Sequence, residues 1–571
     1  MNLDVLDVSI FDGHAVLPAD RISIRDGIIT EIGVGAAPEP AERTITATGK
    51  LITPGFVDAH VHTTFGGQES LACDLSEAQG LEASLDVIRD YLAATAPEAT
   101  AAVDAATAAT ATTAADGWVT GGGWSMSDFP GGAPRAAILD ELSPDRPIIL
   151  LSADHHSAWV NSRAMDLAGL ETSTPTPPGG VIEKDEDGAP TGCLHESAMD
   201  IVSGIVPAAA NSAVRAGLLA GQSFLHKLGV TAWMDAIVGD YSGHRSPFDA
   251  YVDAENTDDL SAEVVGSLWW PRDVDDIDAQ VAALLEQRRT QGQFRTTSVK
   301  FMLDGIVESR TAAMSAEYSC ACGGFGTSYF TREHLHRSFA ALDAAGFDIH
   351  CHAIGDAAIK AALDAFEAIG SDSGYSDGTD SDRRHHIAHV QVVDPVDVDR
   401  FATLGITANL QALWACHDQQ LLDLNIPYLG VERTSWLYPF KSFAKAGTHL
   451  AMGSDWPVST PNPWEAIHVA VNRSHPDAGD PAPLLPEQAI DLTTALRAYT
   501  SGSAHLLRSN TNGTIRTGQV ANLALASANP FDIAPQRLVE VHNELTVADG
   551  RIVHDDTAPE SIPVTQPERQ S

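Results

Sequence analysis

Short runs with alternating apolar and polar residues lie at both ends of the chain. The first part contains LDVSIFDG, RISIRDGIITEIG and RTITATGKLITPG, and the last part contains QVANLALAS and NELTVADGRIVHDD. This alternation, broken by Asp-Gly turns, predicts β-hairpins. We therefore expect residues 1–55 and 506–556 to form one small β-sandwich domain from both termini.

The middle of the chain alternates apolar runs with helical patterns. The runs include RPIILLSA, GVTAWMDA, TSVKFMLDG, GFDIHCHA and GITANLQA, and helical segments such as REHLHRSFAALDAAG and DAAIKAALDAFEAIG intervene. Strand–helix alternation predicts a parallel sheet. Because polar residues end nearly every strand, we expect an α/β fold with a (β/α)8 TIM barrel over residues 56–505.

Two segments depart from this pattern. Residues 68–195 fit the alternation poorly, and their Ala/Thr-rich helical stretch and Gly/Pro-rich loops indicate an insertion near the barrel mouth. Residues 557–571 are polar and rich in proline, which predicts a disordered tail.

The charge balance restricts the partners of the protein. The chain has 34 Lys and Arg against 77 Asp and Glu, which gives a net charge of −43. Such a surface repels phosphate backbones and anionic lipids, so neither nucleic acid nor a membrane is an expected partner. Adaptation to a high-salt cytoplasm and the composition of a GC-rich genome would each explain the acidity.

The sequence also gives information about the cellular compartment of the protein. The start, MNLDVLDVSIFDG, has no basic stretch followed by an apolar run, and no segment is apolar enough to span a bilayer. The six cysteines are scattered, which does not predict a disulfide framework in a chain of this length. We expect a soluble cytoplasmic protein.

Side chains that can bind metal recur where the predicted strands end. His60 and His62 in GFVDAHVHTTFGG are two residues apart, so a strand directs them to the same face. A single histidine at a strand end is more often a hydrogen-bonded polar residue than a ligand. Similar residues nevertheless recur in later strand–helix units: Lys300 in SVKFMLDG, His350 and His352 in DIHCHAIGD, His385, His386 and His389 in RHHIAHVQ, and Asp455 in LAMGSDWP.

This order of residues resembles the amidohydrolase superfamily of metal-dependent hydrolases. Longer segments are similar to its family-3 branch, which includes N-substituted formamide deformylases. They include GWSMSDFPGGAPRAAILDELSPDRPIIL, HHSAWVNSRAMDLAGL, GGVIEKDEDGAPTGCLHESA, VKFMLDGIVESRTAAM, HAIGDAAI and GSDWPVSTPNPWEAI. The resemblance covers residues 3–550 and does not specify the substrate.

The resemblance implies a set of metal ligands: His60, His62, Lys300, His352, His389 and Asp455. Lys300 takes the place of a carboxylated lysine that bridges two metals in many relatives. The alternative is an ordinary lysine paired with Asp304 or Glu308. Imidazole and carboxylate ligands suit Zn²⁺ best, with Fe, Mn, Ni or Co as alternatives, so we expect one or two divalent ions.

Other residues are candidates for catalysis or substrate contact. Asp455 is expected to accept and donate the proton, and His350 or His386 to steady the oxyanion. The resemblance also implies that His350, on the same strand face as His352, supports the ligands from behind and does not bind the metal itself. Relatives often have Glu where this chain has Ala388, and His386 is a candidate to replace it. The candidate substrate contacts are Trp124, His156, Gln411 and Arg433. Loop packing for Trp124 and His156, and a surface ion pair for Arg433, are the alternatives.

These observations predict an enzyme that uses metal-activated water to hydrolyse a non-peptide C–N bond, of amide or N-formyl type, in a small molecule. Esters, cyclic amides or deaminated rings are alternative substrates for the same site. A metal-binding module without turnover is a further alternative, which the intact GSDWP segment around Asp455 disfavours. Chain length and strand–helix alternation disfavour a small β-barrel of cupin type. A homodimer is the oligomeric state considered.

Overall fold

The computed structural model describes residues 1–37, 39–96, 117–241, 244–320, 323–372, 382–476 and 482–557. Most of the predicted Ala/Thr-rich helix, and the predicted disordered tail beyond Thr557, lie outside the described residues. Within these ranges, no helix combines the length and apolar character needed to cross a membrane.

Eight parallel strands form the central barrel. They are β1 (Phe56–Val61), β2 (Val230–Val238), β3 (Glu263–Trp269), β4 (Phe294–Met302), β5 (Asp348–Ala353), β6 (His386–His389), β7 (Thr407–Leu410) and β8 (Leu450–Met452). Each strand pairs in parallel with the next in chain order. The barrel is closed just beyond β8, where the Asp455 backbone N–H donates to His60 O at 2.7 Å. The predicted α/β class and TIM barrel are confirmed.

Helices connect the barrel strands and bury their apolar faces. Those after β1 to β4 are Thr63–Ser70, Asn211–Lys227, Phe248–Asn256, Ile277–Glu286 and Arg332–Ala344. Those after β5 to β8 are Asp356–Asp372, Val398–Leu404, Ile426–Thr434, Phe440–Ala446, Pro463–Asn472, Leu492–Arg497 and Ser503–Leu506. The Arg332–Ala344 helix is an example. The Thr331 side chain caps its first turn. Leu335, Phe339 and Leu342 are buried on one face of the helix.

The helix that follows the first histidine pair is held by a close glycine contact. Thr63–Ser70 begins directly after His62 and packs on Asn211–Lys227. A Cβ atom on Gly67 would lie 1.8 Å from the Gly217 carbonyl oxygen, so a side chain at this position would force the two helices apart. The absence of a side chain at Gly67 therefore allows the two helices to pack closely at this point.

The two ends of the chain meet in two further sheets. One contains Ile28–Gly33, Arg21–Arg25, Leu3–Leu6 and Arg43–Thr46, and the other contains Ser9–Ile10, Leu51–Pro54, Leu523–Ala526, Asn543–Ala548 and Arg551–Asp555. Val5, Ile24, Leu523 and Val547 belong to one shared apolar core. The two β-rich ends therefore pack together, while the exact domain boundaries stay a prediction.

The segment predicted as an insertion contains a six-stranded sheet, of which the sequence analysis predicted only the strand in RPIILLSA. Its strands, in spatial order, are Gly180–Lys184, Pro190–Glu196, Ser157–Val160, Ile148–Ser152, Val119–Trp124 and Cys73–Asp74. The helices Leu81–Ala94, Ala136–Leu142 and Ser162–Ala168 accompany it, and Asp200–Ser203 follows it. The strand VTGGGW contains three consecutive glycines and SAWV has only four residues, so neither shows a clear period of two.

The oxidation states of the described cysteines do not identify the cellular compartment of the protein. Cys73, Cys193, Cys351 and Cys416 are buried and free. Cys320, however, is disulfide-bonded, and disulfides are rare in a reducing cytoplasm. The cytoplasmic location therefore remains a prediction.

Candidate metal centre

Three predicted metal ligands converge at the C-terminal end of the barrel. His60 lies at the end of β1, His62 directly follows it, and Asp455 lies just beyond β8. One donor atom from each residue lies within 4.8 Å of the others. His60 Nε2 and His62 Nε2 are 3.2 Å and 3.1 Å from Asp455 Oδ1. The three side chains therefore offer a compact nitrogen and oxygen donor set.

These side chains are in the protonation states that a cation requires. Burial lowers the pKa of His60 to about 3 and also lowers the pKa of His62, so both imidazoles keep a free lone pair. Burial alone would raise the pKa of Asp455, but His60, His62 and His389 hold that pKa well below its ordinary value. Two neutral imidazoles and a carboxylate fit a divalent ion such as Zn²⁺.

His352 and His389 extend the cluster from β5 and β6. Their ring centroids are 4.4 Å apart, and the His389 ring stacks on Trp414 with centroids 5.3 Å apart. Both ring nitrogens of His389 are buried without a hydrogen-bond partner among the described residues. Because unpaired buried polar atoms are costly, a metal ligand role would account for this ring. His352 Nε2 lies 3.2 Å from Gly305 O.

Lys300 is buried against the same cluster. Its Nζ lies 3.3 Å from His60 Nε2, and burial lowers the pKa of the amine to about 8. Asp304 instead accepts hydrogen bonds from three backbone N–H groups. Glu308 accepts from two side-chain amides. The alternative of a Lys300 ion pair with Asp304 or Glu308 is therefore not realised in the described structure.

His350 and His386 lie behind His60. His350 Nε2 is 2.8 Å from His60 Nδ1, and His350 Nδ1 is 3.0 Å from Ser267 Oγ. The His386 ring lies 4.3 Å from the His350 ring, centroid to centroid. Within the described residues, neither lines the cavity beside Asp455. This chain of contacts instead orients His60 so that its Nε2 faces the cluster.

One of the four predicted substrate contacts reaches the metal cavity. His156 lines it, whereas the other three do not belong to its described lining. Trp124 packs in the apolar core of the insertion, and its indole N–H donates to a backbone carbonyl at 2.8 Å. The Arg433 guanidinium donates to three backbone carbonyls. Gln411 Oε1 accepts from the His389 backbone N–H at 2.7 Å, so Gln411 supports a predicted ligand instead.

A turn of the insertion brings further polar residues to the cavity. Asp154, His155 and His156 line it. His155 Nε2 lies 3.0 Å from Glu69 Oε1, and His156 Nδ1 lies 2.8 Å from Glu196 Oε1. The sequence analysis missed both glutamates, although Glu196 stands in the quoted segment LHESA. That segment was the only signal for Glu196 in the sequence, because the partner of this glutamate, His156, is 40 residues away along the chain.

A wider cavity adjoins the metal cavity and gives room for a substrate. It has a volume of about 1310 Å³, and Tyr241 lines both cavities. The Tyr241 and Trp269 rings form one wall with centroids 4.9 Å apart, and the Arg272 guanidinium lies 3.6 Å from the Tyr329 ring centroid. Concave sites with aromatic walls and a few polar groups are typical of small-molecule binding.

Comparison with known proteins agrees with this arrangement. The chain matches the model of the Amidohydrolase family over residues 43–554. It is 29% identical over 548 residues to Protein LONG AFTER FAR-RED 3 of Arabidopsis thaliana, covering 93% of this chain and 88% of that protein. It is 27% identical over 589 residues to the N-substituted formamide deformylase of Arthrobacter pascens, covering 97% of each.

A solved structure shows the same fold. It is an uncharacterized metal-dependent hydrolase from Pyrococcus horikoshii, with a TM-score of 0.68 and 22% identity, and the match covers 94% of this chain and 99% of that one. This likeness concerns the fold alone. Because the family model spans most of the chain, the protein belongs to the amidohydrolase family, in its family-3 branch.

Proposed function

We propose that this amidohydrolase hydrolyses a non-peptide C–N bond, of amide or N-formyl type, in a small molecule. The observation that carries the proposal is the convergence of donor atoms from His60, His62 and Asp455 within 4.8 Å of one another. The name of the formamide deformylase relative supports this bond type. The homodimer and the cytoplasmic location stay predictions.

The proposed metal is Zn²⁺, because imidazole and carboxylate donors suit it. His60, His62 and Asp455 would hold one ion, and His352 and His389 would contribute to a second. A bound divalent ion supplies a Lewis acid that polarises a carbonyl and makes water a nucleophile near neutral pH. His350 and His386 are proposed to orient His60, since both lie behind it.

Asp455 is proposed to move the proton. Its Oδ1 lies between the His60 and His62 rings, whereas its Oδ2 is 3.8 Å from His389 Nδ1, beyond hydrogen-bond distance. The second oxygen is therefore the one placed to accept a proton from the attacking water. The protonated carboxyl then donates that proton to the leaving amine, which gives a carboxylate and an amine as products.

Lys300 is proposed to be carboxylated. Its neutral amine would attack CO₂, form a new N–C bond and lose a proton to solvent, which leaves an anionic carbamate. Two cations would stabilise that anion, whereas an ammonium group would repel them. The position of Nζ, 3.3 Å from His60 Nε2, supports a role inside the ligand cluster.

The proposed reaction can be tested with a panel of N-formyl amides, other amides, esters, cyclic amides and aminopurines. We expect hydrolysis of the N-formyl or other amide compounds, because the ligand set provides a Lewis acid and a proton shuttle. Removal of metal with dipicolinate should abolish the activity, and Zn²⁺ should restore it. Preference for an ester or an aminopurine would contradict the proposed bond type, and full activity without metal would contradict the mechanism.

Substitution of Asp455 by asparagine keeps the side-chain size and removes the proton acceptor. We expect kcat to fall about 100-fold to 10,000-fold, as is typical when general acid–base assistance is lost. Loss of a charged ligand would add to this effect. The matched control is Asp399→Asn on an exposed helix position, which should leave kcat unchanged. A near-normal kcat in Asp455→Asn would remove this residue from the proposed role.

Substitution of Lys300 by alanine should lower zinc content and activity together, because the proposed bridging anion is lost. Added bicarbonate should speed the reassembly of zinc-bound wild type from apoprotein and have no effect on Lys300→Ala. Zinc content by elemental analysis and the reactivation rate measure both effects. Lys360→Ala, on the protein surface, is the control. A high-resolution map with an unmodified Lys300 beside full zinc occupancy would contradict the proposal.

A further inference from the structure

The Arg272 side chain lies between the wider cavity and the metal cavity. It follows β3 at the C-terminal end of the barrel, where the active sites of TIM barrels are built, and it lines the wider cavity. Its Nη2 is 3.1 Å from Met302 Sδ, and the Met302 side chain lines the metal cavity. The guanidinium is therefore one side chain away from the metal cavity and borders the space available to a substrate.

The neighbours of this guanidinium hold it in one orientation. Its central carbon lies over the Tyr329 ring, 3.6 Å from the ring centroid, as is typical of arginine stacked on an aromatic side chain. The contact with Met302 fixes one edge of the group. The Arg272 side chain is 26% exposed, so part of it remains accessible from the cavity. A planar, positively charged group is thus preorganised in the cavity wall.

Arg272 lacks strong acceptors for its N–H groups. Its hydrogen bond goes to the Met302 thioether, a weak acceptor, and its Nε is buried without a partner among the described residues. Within the same residues, the closest carboxylate oxygen is Glu196 Oε2, which lies 3.7 Å from Nη2, beyond hydrogen-bond distance. Glu196 Oε1 contacts His156 Nδ1 and accepts from Thr311 Oγ1. A ligand in the cavity would supply the acceptors that Arg272 lacks.

Most other charged groups of the wider cavity are exposed. Asp200, Asp240 and Asp273 line it, but water and salt screen their charges at the surface. Arg245 also lines the cavity and is exposed. Arg433, which the sequence analysis considered for substrate contact, donates to three backbone carbonyls instead. These observations leave the stacked guanidinium as the partly buried cation that a substrate in this cavity would meet.

The planar guanidinium matches the two oxygens of a carboxylate, which it can bind through two parallel hydrogen bonds. We propose that Arg272 is a specificity-determining residue that binds a carboxylate of the substrate while the scissile amide lies in the metal cavity. The carboxylate belongs either to the acyl part or to the amine part of the substrate, and the test separates these two sources. The inference rests on the proposed amide hydrolysis and names the class of its substrate.

Two pairs of compounds test this preference with zinc-loaded full-length protein. N-formylphenylalanine carries a carboxylate on its amine part, and N-formylphenylalaninamide is the uncharged analogue of similar size. N-benzylsuccinamate carries a carboxylate on its acyl part, and N-benzylsuccinamide is the uncharged analogue. In one of the two pairs, we expect the wild-type kcat/KM to be about 10-fold to 100-fold higher for the carboxylate, as for a hydrogen bond between charged groups.

Substitution of Arg272 by glutamine removes the charge. We expect kcat/KM for the preferred carboxylate to fall about 10-fold to 100-fold, mainly through a higher KM, because a binding contact is lost. The values for the uncharged analogue and the zinc content should stay near those of the wild type. Arg272→Lys keeps the charge without the planar group and should retain part of the preference. The control, Arg332→Gln, changes an exposed helix position outside the described lining of both cavities and should behave as wild type.

The outcomes separate this inference from the proposed function. The inference is wrong if the wild type prefers the carboxylate in neither pair. It is also wrong if Arg272→Gln lowers kcat/KM equally for the carboxylate and its analogue, as a structural defect would, or leaves the preference unchanged. In each case, hydrolysis of any amide in the panel still supports the proposed function. If the wild type hydrolyses no amide, the proposed function fails, and the role of Arg272 fails with it.

Discussion

The metal-ligand cluster depends on the backbone contacts that join β1 to the residues beyond β8. The Asp455 backbone N–H donates to His60 O at 2.7 Å, and Asp58 Oδ1 accepts from the backbone N–H groups of His60 and Ser454 at 3.1 Å and 3.0 Å. Gly453 allows this close approach, because a Cβ atom there would lie 2.4 Å from His60 N. Barrel closure therefore brings the carboxylate to the imidazoles.

The insertion adds further polar side chains to the cavity that holds the proposed ligands. The barrel provides the proposed ligands, and the turn that carries His155 and His156 brings two imidazoles to the same cavity. Each of them contacts a glutamate, Glu69 or Glu196, that is itself buried. These two contacts join the turn to the helix that carries Glu69 and to the strand that carries Glu196.

Strand direction and the supporting position of His350 were predictable from the sequence and its resemblance, but tertiary pairing was not. His350 and His352 point to the same face, yet two residues along a strand span about 6.6 Å, so His350 lies one layer deeper, behind His60. Trp124 stands in a family segment, and only the packed sheet shows that it belongs to an apolar core. The sequence analysis missed Glu196 because its carboxylate lies in the site only through its contact with His156, which is 40 residues away in the chain.

The most direct test of the account is the position of the metal. Crystals of the zinc-loaded protein, measured at the zinc absorption edge, locate the ion by its anomalous scattering. The account predicts a peak about 2.0–2.2 Å from His60 Nε2, His62 Nε2 and a carboxylate oxygen of Asp455. Zinc bound elsewhere, with these three side chains free of metal, would contradict it.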